Sequence, residues 1–211
     1  MKLKIPKELS DITLEQAQKV LLIDQNPDIE DFPKMVHSVA IMTGRTAQEI
    51  AEVHLVDLEH IYNRIFSMIE GGGIEAPLRR HINYLGREYA FIEDVRDMET
   101  GAFVDIDQMT KGEKYAENLH KIMAILYRPV DAKIGNRYRL KSYVKEHSKD
   151  REERQAVFLK HMTLDVVRGS AGFFLAVMQK CLNISSNLFP THKVVTGEKS
   201  TLGVGTTSFI P

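Results

Sequence analysis

Leu119-His-Lys-Ile-Met-Ala-Ile-Leu-Tyr-Arg-Pro-Val130 is the stretch whose reading decides the fold. Its apolar residues belong to a helix running from Tyr115 to Tyr127, which Pro129 is expected to end. Just downstream, Tyr138 and Leu140 follow the alternation of a half-buried strand, with Tyr143 one step out of phase. Met162-Thr-Leu-Asp-Val-Val-Arg-Gly-Ser-Ala-Gly-Phe-Phe-Leu-Ala-Val-Met178 then supplies another apolar helix, interrupted by small residues. Helices, a sheet segment and close packing can be built from this region. Almost nothing in it could run a reaction.

Upstream, the N-terminal third reads as helices. Thr13 with Gln16 forms a capping box ahead of Leu14, Ala17 and Leu21, and Pro27 and Pro33 are expected to break the chain after that helix. Met35, Val36, Val39 and Met42 mark a second helix that Thr43-Gly44 ends. Thr46 with Glu49 is a second capping box, opening a short helix through Ala51. Leu55, Leu58, Ile61, Ile65 and Ile69 form a long amphipathic stripe, stopped by the hinge Gly71-Gly72-Gly73.

Beyond that hinge the period alternates. Ile82 and Tyr84, then Tyr89 and Phe91, predict two strands around Leu85-Gly86. Thr100-Gly101 reads as a further turn before an alternating Phe103, Val104 and Ile106. Lys145 to Glu153 is strongly charged and reads as solvated, with helices near Asp150–Lys160 and Leu164–Leu182 closing the compact part. The expected fold is therefore α+β, mainly helical with a small antiparallel sheet. Residues 1–70 form its helical part and residues 71–190 a mixed part of the same unit. Residues 191–211, rich in Gly, Thr and Ser, cannot bury enough surface alone and read as an extended arm. Thr191, Val194, Val195, Leu202, Val204, Phe209 and Ile210 are its candidate subunit contacts, made by adding main-chain hydrogen bonds to a partner's sheet.

Composition excludes more than it indicates. With 28 basic and 29 acidic residues the net charge is −1, so no global pull toward nucleic acid or acidic membranes exists. A single cysteine, Cys181 in an apolar run, allows no internal disulfide and no multi-cysteine zinc site. The start lacks an apolar signal region and no span approaches the length of a membrane helix, so a soluble chain in a reducing compartment is expected. The histidines are scattered singly and no His-Glu-x-x-His occurs. Gly71-Gly72-Gly73 lacks the Lys-Ser/Thr of a phosphate loop, and the acidic pairs Glu93-Asp94 and Asp105/Asp107 lack further ligands. No acid, base and nucleophile converge, so the reading assigns no catalytic, cofactor or metal site and no small-molecule substrate.

Three motifs bear on partners. Gly44 to Arg64 resembles a helix-turn-helix, with Ala47, Ile50 and Ala51 packing its first helix, Val56 its turn and Ile61 its second. That second helix would present Asp57, Glu59 and His60 to DNA, an acidic face ill suited to phosphate. Two packed helices account for it better, and no specific nucleic acid is expected. Gly169-Ser-Ala-Gly172 offers close approach, to another chain or, as preferred, within the domain. Arg79-Arg80 with Arg137/Arg139 reads either as a basic patch or as solvated strand edges.

The plan as a whole resembles small structural and assembly proteins of tailed bacteriophages, especially those of crAss-like phages. Ile5-Pro-Lys-Glu-Leu-Ser-Asp-Ile-Thr-Leu-Glu-Gln-Ala17 and Met42-Thr-Gly-Arg-Thr-Ala-Gln-Glu-Ile50 look like the N-terminal helices of tail-assembly-chaperone-like proteins. His120–Val130, Tyr138–Tyr143 and Met162–Phe174 look like their C-terminal half. The resemblance covers residues 5–185, rests on packing patterns and transfers no functional residues. It implies a non-enzymatic neck or tail ring subunit of the virion, made in the host bacterial cytoplasm. The implied partners are copies of itself and other neck and tail proteins. A soluble tail assembly chaperone and a helix-turn-helix regulator are the alternatives.

Overall fold

Capping decides where the N-terminal helices begin. In the computed structural model, which describes residues 3–70, 76–110, 115–135 and 137–172, Thr13 accepts from the Gln16 amide while Gln16 Oε1 accepts from the Thr13 amide. This reciprocal pair opens α1 (Leu14–Asp24). Thr46 and Glu49 repeat the arrangement at the start of α3 (Ala47–Ile50), which comes after α2 (Asp31–Thr43). Gly44 ends α2 at a φ of 67°, the left-handed region open to glycine. Pro33 does not break the chain as expected. It lies in the first turn of α2, where an amide would lack a helical partner in any case. In α4 (Leu55–Glu70) the expected stripe buries Leu58, Ile65 and Ile69 but leaves Leu55 exposed. The glycine hinge expected after α4 lies outside the described residues.

The next two strands, β1 (His81–Tyr84) and β2 (Arg87–Phe91), pair antiparallel around Leu85-Gly86. Both turn residues have positive φ, 52° and 75°, the backbone of a type I′ hairpin. The expected alternation of Phe103, Val104 and Ile106 is overturned. Residues Thr100–Thr110 form α5, whose buried positions Ala102 and Ile106 are one helical turn apart while Phe103 and Val104 are partly exposed.

Helix α6 (Tyr115–Leu126) buries Leu119, Ile122, Met123, Ile125 and Leu126 and runs directly into β3 (Tyr127–Ile134). Pro129 therefore stands inside a strand and not at a helix end. It occupies the point where β3 exchanges β2 for β4 (Arg137–Leu140) and bulges between Val130 and Ala132; its carbonyl accepts from Lys141 at 3.0 Å. The result is a four-stranded antiparallel meander in the order β1-β2-β3-β4. It curls enough for His81 of one edge strand to stack on Tyr138 of the other, rings 4.9 Å apart.

Helix α7 (Ser148–His161) covers the sheet through Phe158, whose buried ring meets Tyr84, Tyr89 and Tyr127 edge-on at 4.9 to 6.4 Å. A last helix, α8, is described over 164–172. Its start is bonded to the start of α1: the Leu14 amide donates to Met162 at 2.7 Å and the Leu164 amide to Ile12 at 2.9 Å. Arg168 donates to the Ile69 carbonyl, and Gln18 of α1 to Glu117 of α6 at 3.0 Å. One hydrophobic core thus spans the helical and mixed parts. Gly169 is close-packed within the chain: a Cβ there would stand 2.5 Å from the Pro77 carbonyl oxygen. The fold is α+β, mostly helical with a small antiparallel sheet; the expected arm, from Thr191 to Pro211, lies outside the described residues.

Candidate functional site

A gathering of ionic side chains forms where α5, β3, the loop after β4 and α7 meet. The segment expected to be solvated contributes to it. Glu146 is only 6% exposed and takes both guanidinium Nη atoms of Arg154, itself 2% exposed, while Arg154 Nε donates to the Ala124 carbonyl at 3.1 Å. Beside them Glu99 accepts from the Ser142 hydroxyl and from the amides of Tyr143 and Val144. Arg128, 3% exposed, stands 3.7 Å from Glu99, lies over the Tyr143 ring at 5.0 Å and donates to the Lys141 carbonyl at 2.7 Å. Arg151 caps the other face of the cluster, 3.9 Å from the Tyr143 ring centroid and donating to its hydroxyl at 2.9 Å. Tyr143 in turn donates to Asp105, which α5 presents.

Electrostatics follow from this geometry. Burial alone would raise the Glu99 carboxyl, but its hydrogen bonds and Arg128 outweigh that and hold it below its ordinary value. Burial and the bond to Asp105 push the Tyr143 phenol up to about 12, so it remains a neutral donor. Burial and the neighbouring Arg154 charge push Arg128 down to about 10, and it stays cationic at neutral pH. Cations and carboxylates here are spent on one another. What the arrangement can do is clamp the Ser142–Glu146 loop between helices, leaving Arg128 Nε and Arg151 Nε buried without a hydrogen-bond partner. An open groove of about 740 Å³ runs past Arg154, between β2, the β3–β4 pair and the start of α7.

Sequence reasoning missed this clamp because Glu99 and Arg128 are distant in the chain from Glu146 and Arg154, and the charged segment holding Glu146 read as solvated. The only local signal is a tyrosine just past the end of a strand. Asp105 and Asp107, read as turn and strand-edge carboxylates, sit on α5. Three of the four arginines read as a possible basic patch are matched by acids: Arg79 with Asp165 at 2.5 Å, Arg80 with Glu93 at 3.4 Å, and Arg139 with Asp131 at 2.6 Å; the side chain of Arg137 lies outside those described. Among the described residues no cluster of three or more His, Cys, Asp or Glu could hold a metal ion, and no helix is long and apolar enough to cross a membrane.

The helix-turn-helix resemblance meets a first helix, α3, of four residues and a Val56 that is 68% exposed instead of packing the turn. Around that turn opens a second groove, about 660 Å³, floored by Leu3, Ile5, Val53 and Ile61 with Glu52 and Asp57 at its side. A further exposed apolar surface lies at the sheet. Leu85 at the β1–β2 turn is 70% and Ile134 on the β3–β4 hairpin 63% exposed. The arm residues Thr191, Val194, Val195, Leu202, Val204, Phe209 and Ile210 lie outside the described residues, as does Cys181. Comparison with protein-family models, with curated proteins and with solved structures returned no match.

Proposed function

We propose that this chain is a non-enzymatic structural subunit of a tailed-phage particle, a neck or tail ring protein of the head-to-tail connection. The observation that carries the reading is Leu85. A leucine at φ 52° is in the left-handed backbone that side chains other than Gly, Asn and Asp rarely adopt, and 70% of it faces solvent. It costs the fold stability and gains little from packing within the chain. Such an outlier is explained when the side chain serves a contact outside the chain. Ile134 on the β3–β4 hairpin is another exposed apolar side chain of the sheet, and Leu55 and Val56 at the start of α4 form a surface from a different segment. Two unlike contact surfaces on one chain are what a heterologous, ring-forming interface requires. Near-neutral charge lets many copies pack without strong self-repulsion.

Native mass spectrometry of the purified full chain, with electron microscopy of the same sample, tests this. Closed oligomers of one size are expected. Leu85→Asn relieves the turn backbone, so it should raise the melting temperature while weakening the oligomer. A chain that stays monomeric, or an oligomer indifferent to Leu85→Asn, contradicts the reading.

A further inference from the structure

We propose that the groove beside the α3–α4 turn receives the β3–β4 hairpin of a second copy of this chain, a contact that rests on the ring reading and names its two surfaces. The groove has an apolar floor and an acidic side. Glu52 and Asp57 line it together with His54 and His60, exposed Glu59 follows on α4, and among the described residues no lysine or arginine lines it, although Lys4 stands between two floor residues. Val56 stands at its mouth with 68% of its surface in solvent.

The hairpin has the complementary character. Pairing of β3 with β2 stops at Pro129, and from Val130 outward β3 pairs with β4 alone, so the hairpin parts from β2 there, with Tyr138 stacked on His81 of β1. Its tip carries Ile134, 63% exposed. Residues 131–139 hold the cations Lys133, Arg137 and Arg139 against the single anion Asp131. An apolar tip entering an apolar floor supplies burial, and opposite charges at the rim fix orientation and speed encounter. The surfaces come from different segments, residues 3–61 and 130–140, so each copy that offers a hairpin still has its own groove open. Repetition of such a contact about an axis closes a ring.

Charge exchange on the full-length chain, read by sedimentation velocity, tests the docking. Lys133→Glu/Arg137→Glu on the hairpin and Glu52→Lys/Asp57→Lys on the groove should each weaken association by about tenfold or more, since like charges then meet. Mixing the two reversed chains in equal amounts should restore it, because every hairpin again faces a groove of opposite sign. Val56→Arg alters an exposed side chain and should weaken association with the melting temperature kept, which separates docking from folding. Reversals that leave association unchanged, or a mixture that fails to recover, overturn the docking but not the ring reading. In that case the groove passes to another occupant, such as residues 173–211. Retention of the wild-type chain on duplex DNA in a salt-dependent manner, lost with the hairpin reversal while self-association is kept, would overturn it in favour of a nucleic-acid contact.

Discussion

Arg154 holds a full charge at 2% exposure because Glu146, at 6%, is placed to take both ends of its guanidinium. A buried ion pair of this kind adds little net stability, yet losing one partner strands the other. Arg154→Met is therefore expected to destabilise the fold by about 3–5 kcal/mol, and adding Glu146→Leu should recover most of it. Urea denaturation of the two variants checks this; a double variant as unstable as the single would contradict the clamp. Glu99 sets a pH dependence. Its carboxyl titrates lower in the folded chain than in the unfolded one, so the unfolded chain binds the proton first on acidification. The stability Glu99 contributes is complete above the ordinary carboxylate range and is lost as pH falls through its folded value. Melting temperature should drop below about pH 4.5, and Glu99→Gln should flatten that drop. Equal pH profiles for wild type and Glu99→Gln would contradict this role.

At the scale of elements, the sequence makes legible what short-range chemistry settles. Both capping boxes, the Gly44 stop and the Leu85-Gly86 hairpin depend on residues within a few positions of each other, and each stands where the sequence placed it. Errors arise where a local pattern has two solutions. Phe103, Val104 and Ile106 alternate like a strand, but Ala102 and Ile106, a helical turn apart, are the pair that meets the core. Pro33 and Pro129 read as breakers because proline removes a donor. In a first helical turn and beside a strand bulge no donor is needed. Gly169 and the buried Ser170 serve internal packing, whereas an added Cβ at exposed Gly172 meets no described atom, and the cost of enlarging Gly169 is calculable. Gly169→Ala forces a methyl group against the Ala76-Pro77 backbone, which cannot retreat as a flexible side chain would. A loss of about 1–3 kcal/mol is expected from thermal or urea unfolding, and an unchanged midpoint would show that the approach is looser than described.

For the whole molecule, the features that hold it together and the features left over point in different directions. The core, the aromatic set around Phe158 and the ionic clamp are all built within one chain. The apolar leftovers include Leu55 and Val56 by an acidic groove, Leu85 and Ile134 on the two hairpins, and Phe32 and Val144 elsewhere. The clamp escapes a sequence reading because Glu99 and Arg128 join the Tyr143–Arg154 segment only through tertiary contacts. The most direct test is mass spectrometry of purified phage particles, quantifying this chain against the portal and the major capsid protein. A fixed ratio to the portal, at the copy number of a ring, is predicted. Absence from particles while the protein is abundant in infected cells would contradict the structural role and favour an assembly chaperone.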